Sequence, residues 1–198
     1  KFDNVNVKCT GKNLGYGGGN NFGIAAVETD YILILNPDVI CSKDFFSNVE
    51  DVIEENNNFS FIGCQYLHDR VFMPAGFLDK KKNKKFVENF RNDEIEDLSE
   101  VDWVTGCSML LNITKFSNKK IFDENFFLYF EEFDLCKSLK DRGEKVYSSK
   151  KLKIHHLGFK SSFEDNSSFK KNINSMREWH WMWSSFYYYE KNFSYFYA

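Results

Sequence analysis

Three carboxylates lie close together in the stretch FLYFEEFDLC: Glu131, Glu132 and Asp134, set among Phe127, Tyr129, Phe130 and Phe133. Apolar neighbours strip water from a carboxylate and adjacent acids repel, and both effects raise its pKa toward the range of a general base. The plainer reading is that acids at a helix start complement the helix dipole. A further acid, Asp38, follows the apolar run YILIL in LNPDV. It stands just past the carboxyl end of an expected central strand, where open α/β sheets place ligands. There it reads either as a turn or N-cap residue or as an oxygen ligand for Mg²⁺ or Mn²⁺. His155 and His156, in KIHHLG, point to opposite faces if the segment is a strand, so one can face a site while the other does not.

The stretch NLGYGGGNNFG, residues 13–23, raises a different possibility. It does not complete a dinucleotide fingerprint, because Asn20 stands where the third glycine would follow Gly15 and Gly17, and it has no P-loop Gly-Lys-Ser/Thr. It reads as a tight strand-to-helix turn, whose helix N-terminus could receive a phosphate.

Elements must position these groups. VNVKC alternates like a short strand, and a helix is expected over NNFGIAAVET. YILIL has the continuous apolar character of a buried parallel strand, ended by Pro37. SKDFFSNVEDVIEE predicts a helix with Ser42 as N-cap, and FSFIGCQYL a strand. Residues 79–100, with DKKKNKK, read as a charged surface loop. VDWVTGCSMLL returns to buried character. FDLCKSLKDRG predicts a helix with Leu135 and Leu139 on one face and Gly143 at its C-terminal cap. KVYSS and LKIHH read as two short strands. The alternation of strand and helix implies an α/β fold.

The 198 residues suffice for one domain with a real core, and a net charge of −3 argues against a nucleic-acid partner. Five cysteines without a CxxC pair argue against a zinc site and a disulfide framework, and for a reducing cytoplasm. No signal peptide or bilayer-length apolar run is legible. The chain opens on Lys1 and not on Met, which reads as a fragment.

Taken in order, NLGYGGGNNFGI, YILILNPDV, FDENFFLYFEEFDLC and IHHLGFKSS resemble the inverting family 2 glycosyltransferases, in particular their bacterial rhamnosyltransferase-like branch. The resemblance covers roughly residues 5–163. It implies a GT-A fold with a mostly parallel sheet flanked by helices, a UDP- or dTDP-sugar donor, and Mg²⁺ or Mn²⁺. By this resemblance Glu132 is the general base, Glu131 its fallback, and Asp134 orients the acceptor or anchors the helix. Asp38 and His155, or else His156, hold the metal. Asn13, Gly17, Gly18, Asn21, Asn36 and Asp38 contact the donor, with Gly19 also easing the backbone past it, and Trp103 and Gly106 contact the acceptor. The family's first strand and nucleotide-base segment are expected upstream of Lys1. The competing readings are a sugar-nucleotide pyrophosphorylase and an inactive domain that only binds.

Residues 1–175 are thus expected to form the transferase domain and residues 176–198 an aromatic helix holding three of the four tryptophans. Met176, Trp179, Trp183, Phe186, Phe193 and Tyr197 share helical spacing. That stripe either packs on the domain or lies at a membrane interface, on the inner face of a bacterial cytoplasmic membrane where a lipid-linked polysaccharide acceptor would be met.

Overall fold

Apolar runs with no polar alternation need cover on both faces, and the sheet of this protein supplies it. A computed structural model describes residues 3–68, 71–72, 75–91, 96–157 and 167–198. The strands are β1 (Tyr31–Leu35), β2 (Val39–Cys41), β3 (Phe61–His68), β4 (Val71–Phe72), β5 (Ala75–Gly76), β6 (Leu98–Glu100), β7 (Trp103–Val104), β8 (Ser108–Asn112) and β9 (Val146–His156). The helices are α1 (Gly15–Ile24), α2 (Phe45–Glu55), α3 (Lys80–Arg91), α4 (Glu131–Asp141) and α5 (Ser167–Asn192). The main sheet has the order β1-β8-β3-β9-β2, with β4 on β3 and β6 on β9; β5 and β7 pair separately. β3 and β9 are parallel and β1 runs the same way, while β8 lies antiparallel between β1 and β3. YILIL, expected as a central parallel strand, is thus the edge of this sheet among the described residues and pairs antiparallel. The class is α/β, as expected.

Side chains alternate across this sheet into two cores. Ile34, Phe61, Met109 and Leu111 join Leu135, Cys136 and Leu139 of α4 on one face. Ile62, Cys64, Leu110 and Ile154 join Phe45 and Val52 of α2 on the other. Leu135 and Leu139 share the buried face of α4, and Gly143 takes φ +77° beyond its end, both as predicted.

Several local expectations are corrected. VNVKC forms no strand, and Val5 and Val7 are exposed. Asp44, not Ser42, precedes the first turn of α2. KVYSS and LKIHH are one continuous strand, β9, whose pairing with β3 shifts register at Cys64/Gln65. The expected loop at 79–100 contains α3 and β6. Asp79 starts α3 by accepting from the Lys81 amide at 2.9 Å, and Phe86 packs edge-on against Phe77 in the core. One buried aromatic on a lysine-rich helix is too sparse a stripe to read as a period.

The glycine stretch is itself helix α1, starting five residues before the expected helix. Glycines cost about 1 kcal/mol each in a helix interior relative to alanine. Their use here is close approach. Gly15 has φ +75°, and a Cβ there would meet the Phe127 carbonyl oxygen at 2.3 Å. A Cβ on Gly17 would sit 3.1 Å from Phe122 Cβ. Segment 121–127 therefore lies directly on α1, and Asn21 stitches it down. The Asn21 Oδ1 accepts from the amides of Ile121 and Phe122, and its Nδ2 donates to the Phe122 carbonyl and to Glu124.

The tail helix α5 begins at Ser167 and turns a different face inward than its spacing suggests. Ser184 and Tyr188 are buried, whereas Met176, Trp179 and Trp183 are exposed. Rings and polar contacts share this inward face: His180 stacks on Phe127, Tyr187 meets Phe126 and Tyr188 meets Phe130, while Ser184 Oγ donates to the Leu128 carbonyl at 2.8 Å and Lys191 Nζ to Asp134 at 2.7 Å.

Two glycines of α1 should answer oppositely to alanine. Gly19 has open space around its would-be Cβ, so Gly19→Ala should stabilise by about 0.5–1 kcal/mol. Gly15→Ala should destabilise by at least about 1–3 kcal/mol through strain and overpacking. Urea unfolding of both variants checks the sign and the order.

Candidate active site

The head of α4 is reached through an uncommon backbone. Tyr129 and Phe130 both lie in the left-handed region, at φ 73° and 69°. Two such non-glycine residues cost roughly 1–3 kcal/mol each and persist only where packing over-determines them. Here Phe130 contacts Phe133, Trp181 and Tyr188, and Tyr129 meets Trp181 edge-on at 5.4 Å. The Asp134 amide donates to the Phe130 carbonyl at 2.9 Å, which closes the first turn.

This turn delivers Glu131 and Glu132 to a cleft of ≈ 260 Å³ lined also by Tyr16, Asn36, Thr105, Gly106, Cys107, Leu128, Tyr129 and His156. Glu131 is 2% exposed, and its Oε1 is buried with no hydrogen-bond partner among the described residues. Burial, with the charge of Glu132 beside it, pushes the Glu131 carboxyl up to about 8. Glu132 is half-buried. Burial raises its pKa too, while hydrogen bonding with the Gly106 backbone pulls the other way. Gly106 leaves room for it: a Cβ there would lie 3.4 Å from Glu132 Cδ. The Tyr16 hydroxyl donates to the Gly106 carbonyl, tying α1 to the same loop. Burial and the charge of Glu132 keep that phenol protonated far above the ordinary tyrosine range.

Asp38 approaches from the other wall. The Asn36 amide donates to the Cys107 carbonyl at 3.0 Å and the Val39 amide to Asn36 at 3.2 Å, so Asn-Pro-Asp turns tightly between β1 and β2. The β2–β9 register sets Val39 opposite His156. Asp38, 9% exposed, thereby meets His156, Oδ1 to Nε2 3.2 Å. His155 sits opposite Ile40 and is exposed, so the preference for His155 is corrected to His156. Among the described residues no three His, Cys, Asp or Glu side chains stand close enough to hold a metal by themselves. Asp38 and His156 offer one oxygen and one nitrogen side by side, a set that fits a divalent ion only if the ligand supplies further oxygens.

Other expected residues fall outside the cleft. Asn13 is exposed and accepts from the Gly15 amide at 3.0 Å. Gly17 and Gly18 are buried packing positions in α1, and Asn21 spends its side chain on segment 121–124. These four serve local structure. Trp103 stacks on Phe133 at 5.3 Å and lines a separate cavity with Lys137 and Tyr188. Asp134 is paired with Lys191 and Asn192 of α5, which supports the helix-anchoring role and leaves no acceptor-orienting one visible. Asn36, Gly106, Glu131, Glu132 and His156 do meet in one cleft. Tyr16, Thr105, Cys107, Leu128 and Tyr129 were missed. Tyr16 and Tyr129 sit inside the motifs already singled out, and a polar-tipped aromatic beside a carboxylate motif was the available signal.

The model of glycosyl transferase family 2 matches residues 1–114. The matched part includes Asp38 and Gly106 and ends before Glu131. Among curated proteins, the chain is similar to "Rhamnosyltransferase WbbL" of Escherichia coli (strain K12), 29% identical over 178 residues that cover 78% of this chain and 64% of the relative. It is also similar to "Low-salt glycan biosynthesis hexosyltransferase Agl10" of Haloferax volcanii, 26% identical over 151 residues that cover 68% of this chain and 46% of that relative. It thus spans less than two thirds of the length of either. Since the family model takes in more than half of the 198 residues, the chain belongs to glycosyl transferase family 2, with the α/β architecture of the GT-A fold.

Proposed function

We propose that this protein moves a sugar from a nucleotide-diphosphate donor to a hydroxyl of a saccharide or lipid-linked saccharide, with inversion at the anomeric carbon, in building a cell-surface polysaccharide. The observation that carries this reading is Glu132, a half-buried carboxylate facing the same cleft as Asn36 and His156. Glu132 accepts the proton of the acceptor hydroxyl as that oxygen attacks the anomeric carbon. The bond from that carbon to the diphosphate breaks, and the nucleoside diphosphate leaves with the electron pair. A single displacement inverts the centre, through a transition state that is oxocarbenium-like as in glycoside hydrolysis. Asp38 and His156 would hold Mg²⁺ or Mn²⁺, with further oxygens supplied by the donor. When bound, the ion neutralises charge on the leaving group. The names of the two relatives favour a hexosyl or rhamnosyl donor, carried as a UDP- or dTDP-sugar.

Glu131 supports this as a neutral neighbour. Burial and the charge of Glu132 push the Glu131 carboxyl toward its neutral form, which lessens the repulsion that Glu132 meets. The two acids titrate as a coupled pair. The exposed face of α5, with Trp179, Met182, Trp183 and Phe193, and Phe196 beyond it, suits peripheral contact with a membrane carrying the acceptor. No helix among the described residues is long and apolar enough to cross one.

Calorimetry with UDP and dTDP, with and without Mn²⁺, tests the site first. Asp38→Ala should abolish the metal-dependent part of binding. Glu132→Gln should leave nucleotide affinity nearly intact while lowering transfer by about 10²–10⁴-fold. Loss of nucleotide binding on Glu132→Gln, or unchanged transfer, would reject Glu132 as the base.

The raised pKa of Glu131 also sets a slope of stability with pH. Below its ordinary value of 4.5 the group is protonated folded and unfolded, and its contribution is complete. Between 4.5 and about 8 the unfolded chain releases the proton and the folded one keeps it, so stability falls as pH rises. Urea unfolding should therefore show a smaller loss between acidic and mildly alkaline pH for Glu131→Gln than for the wild type. Equal losses would contradict the buried-acid assignment.

Sedimentation with phosphatidylglycerol-containing vesicles checks the membrane contact. Serine at Trp179, Trp183 and Phe196 together should release the protein from the vesicles. Undiminished co-sedimentation would eliminate this face as the contact.

A further inference from the structure

Tyr129 borders two hollows. One is the cleft of Glu132; the other, of ≈ 440 Å³, is lined by Tyr129, Asn174, Arg177, Glu178 and Trp181. The four α5 residues recur at spacings of three, four and seven, so they form one stripe of the helix. They bring an amide, a guanidinium and a carboxylate together beside one indole. Trp181 is 55% exposed, yet its ring is set against both Phe130 at 5.2 Å and Tyr129 at 5.4 Å. A large aromatic surface held firmly and left open is a platform for a flat apolar ligand face. A few polar groups converging on such a surface fix a ligand's orientation. Arg177 and Glu178 bring both signs of charge to the rim, which suits hydroxyl groups that donate and accept better than it suits a phosphate.

We infer that this pocket holds a saccharide unit of the acceptor. The C–H face of the sugar ring lies on Trp181, and its hydroxyls bond to Asn174, Arg177 and Glu178. The inference deepens the transferase reading and rests on it for one step: the neighbouring hydroxyl is passed beyond Tyr129 to Glu132. The left-handed backbone at Tyr129 then has a use, because it sets one ring as the shared wall between the acceptor pocket and the base. Acceptor choice would accordingly reside in the Asn174–Trp181 stripe of α5, on a different side of the helix from Trp179 and Trp183.

Saturation-transfer NMR with a panel of methyl hexopyranosides and methyl deoxyhexopyranosides tests this, with UDP and dTDP titrated separately on the same samples. The expected result is saturation transfer to ring protons of at least one glycoside. It should weaken on the order of tenfold in Trp181→Ala and in Arg177→Ala, and recover largely in Trp181→Phe, which restores an aromatic face. Trp179→Ala, on the same helix but outside the pocket, should match the wild type and controls for helix integrity. Nucleotide binding with no saturation transfer to any glycoside would overturn the pocket while sparing the transferase reading, and so would equal transfer in Trp181→Ala. Failure of both nucleotide and glycoside to bind would overturn the two together.

Discussion

The turn at Tyr129 and Phe130 is the constraint on which the rest depends. Side chains other than glycine are not held in successive left-handed conformations without external force. Here the force comes from two sides. From below, α1 approaches so closely that only glycine fits at Gly15, and the Tyr16 amide donates to the Phe127 carbonyl at 2.9 Å. From above, α5 supplies Trp181, Ser184 and Tyr188. The glycine stretch and the aromatic helix are thus two halves of one clamp. Between them they hold the segment that aims the carboxylates of α4.

That clamp gives the three acids of EEFD three separate environments. Asp134 is buried and paired with Lys191, which also reaches Asp123 at 2.8 Å. Glu131 is buried in the cleft wall, where burial and the charge of Glu132 raise its pKa. Glu132 alone is left half-open to the cleft. Their order along the helix is only a spacing; the division of roles comes from what covers each one. A helix dipole acting on all of them equally would not separate them in this way.

Much of the fold was legible because its signals are local. YILIL read as a strand from its unbroken apolar run, and VDWVTGCSMLL read as buried because β8 lies inside the sheet with a core on each face. Leu135, Leu139 and Gly143 marked α4 and its end through periodicity and a left-handed cap. In the site, Asp38, Asn36, Glu131 and Glu132 were legible from motif order, since a carboxylate just past an apolar strand and another at a helix head are chemical patterns in their own right.

What the chain order by itself determined was which residue types were available and roughly which element carried them. Tertiary structure decided the rest, because the deciding forces act between distant residues. Glycine's low helix propensity was overruled by the contacts of α1 with Phe122 and Phe127. The inward face of α5 is set by partners distant in sequence: His180, Tyr187 and Tyr188 pack on Phe127, Phe126 and Phe130, and Ser184 and Lys191 bond to Leu128 and Asp134. His156 and not His155 meets Asp38 because the β2–β9 register fixes which face of the strand each imidazole takes, and a register is a property of two strands that neither sequence segment contains.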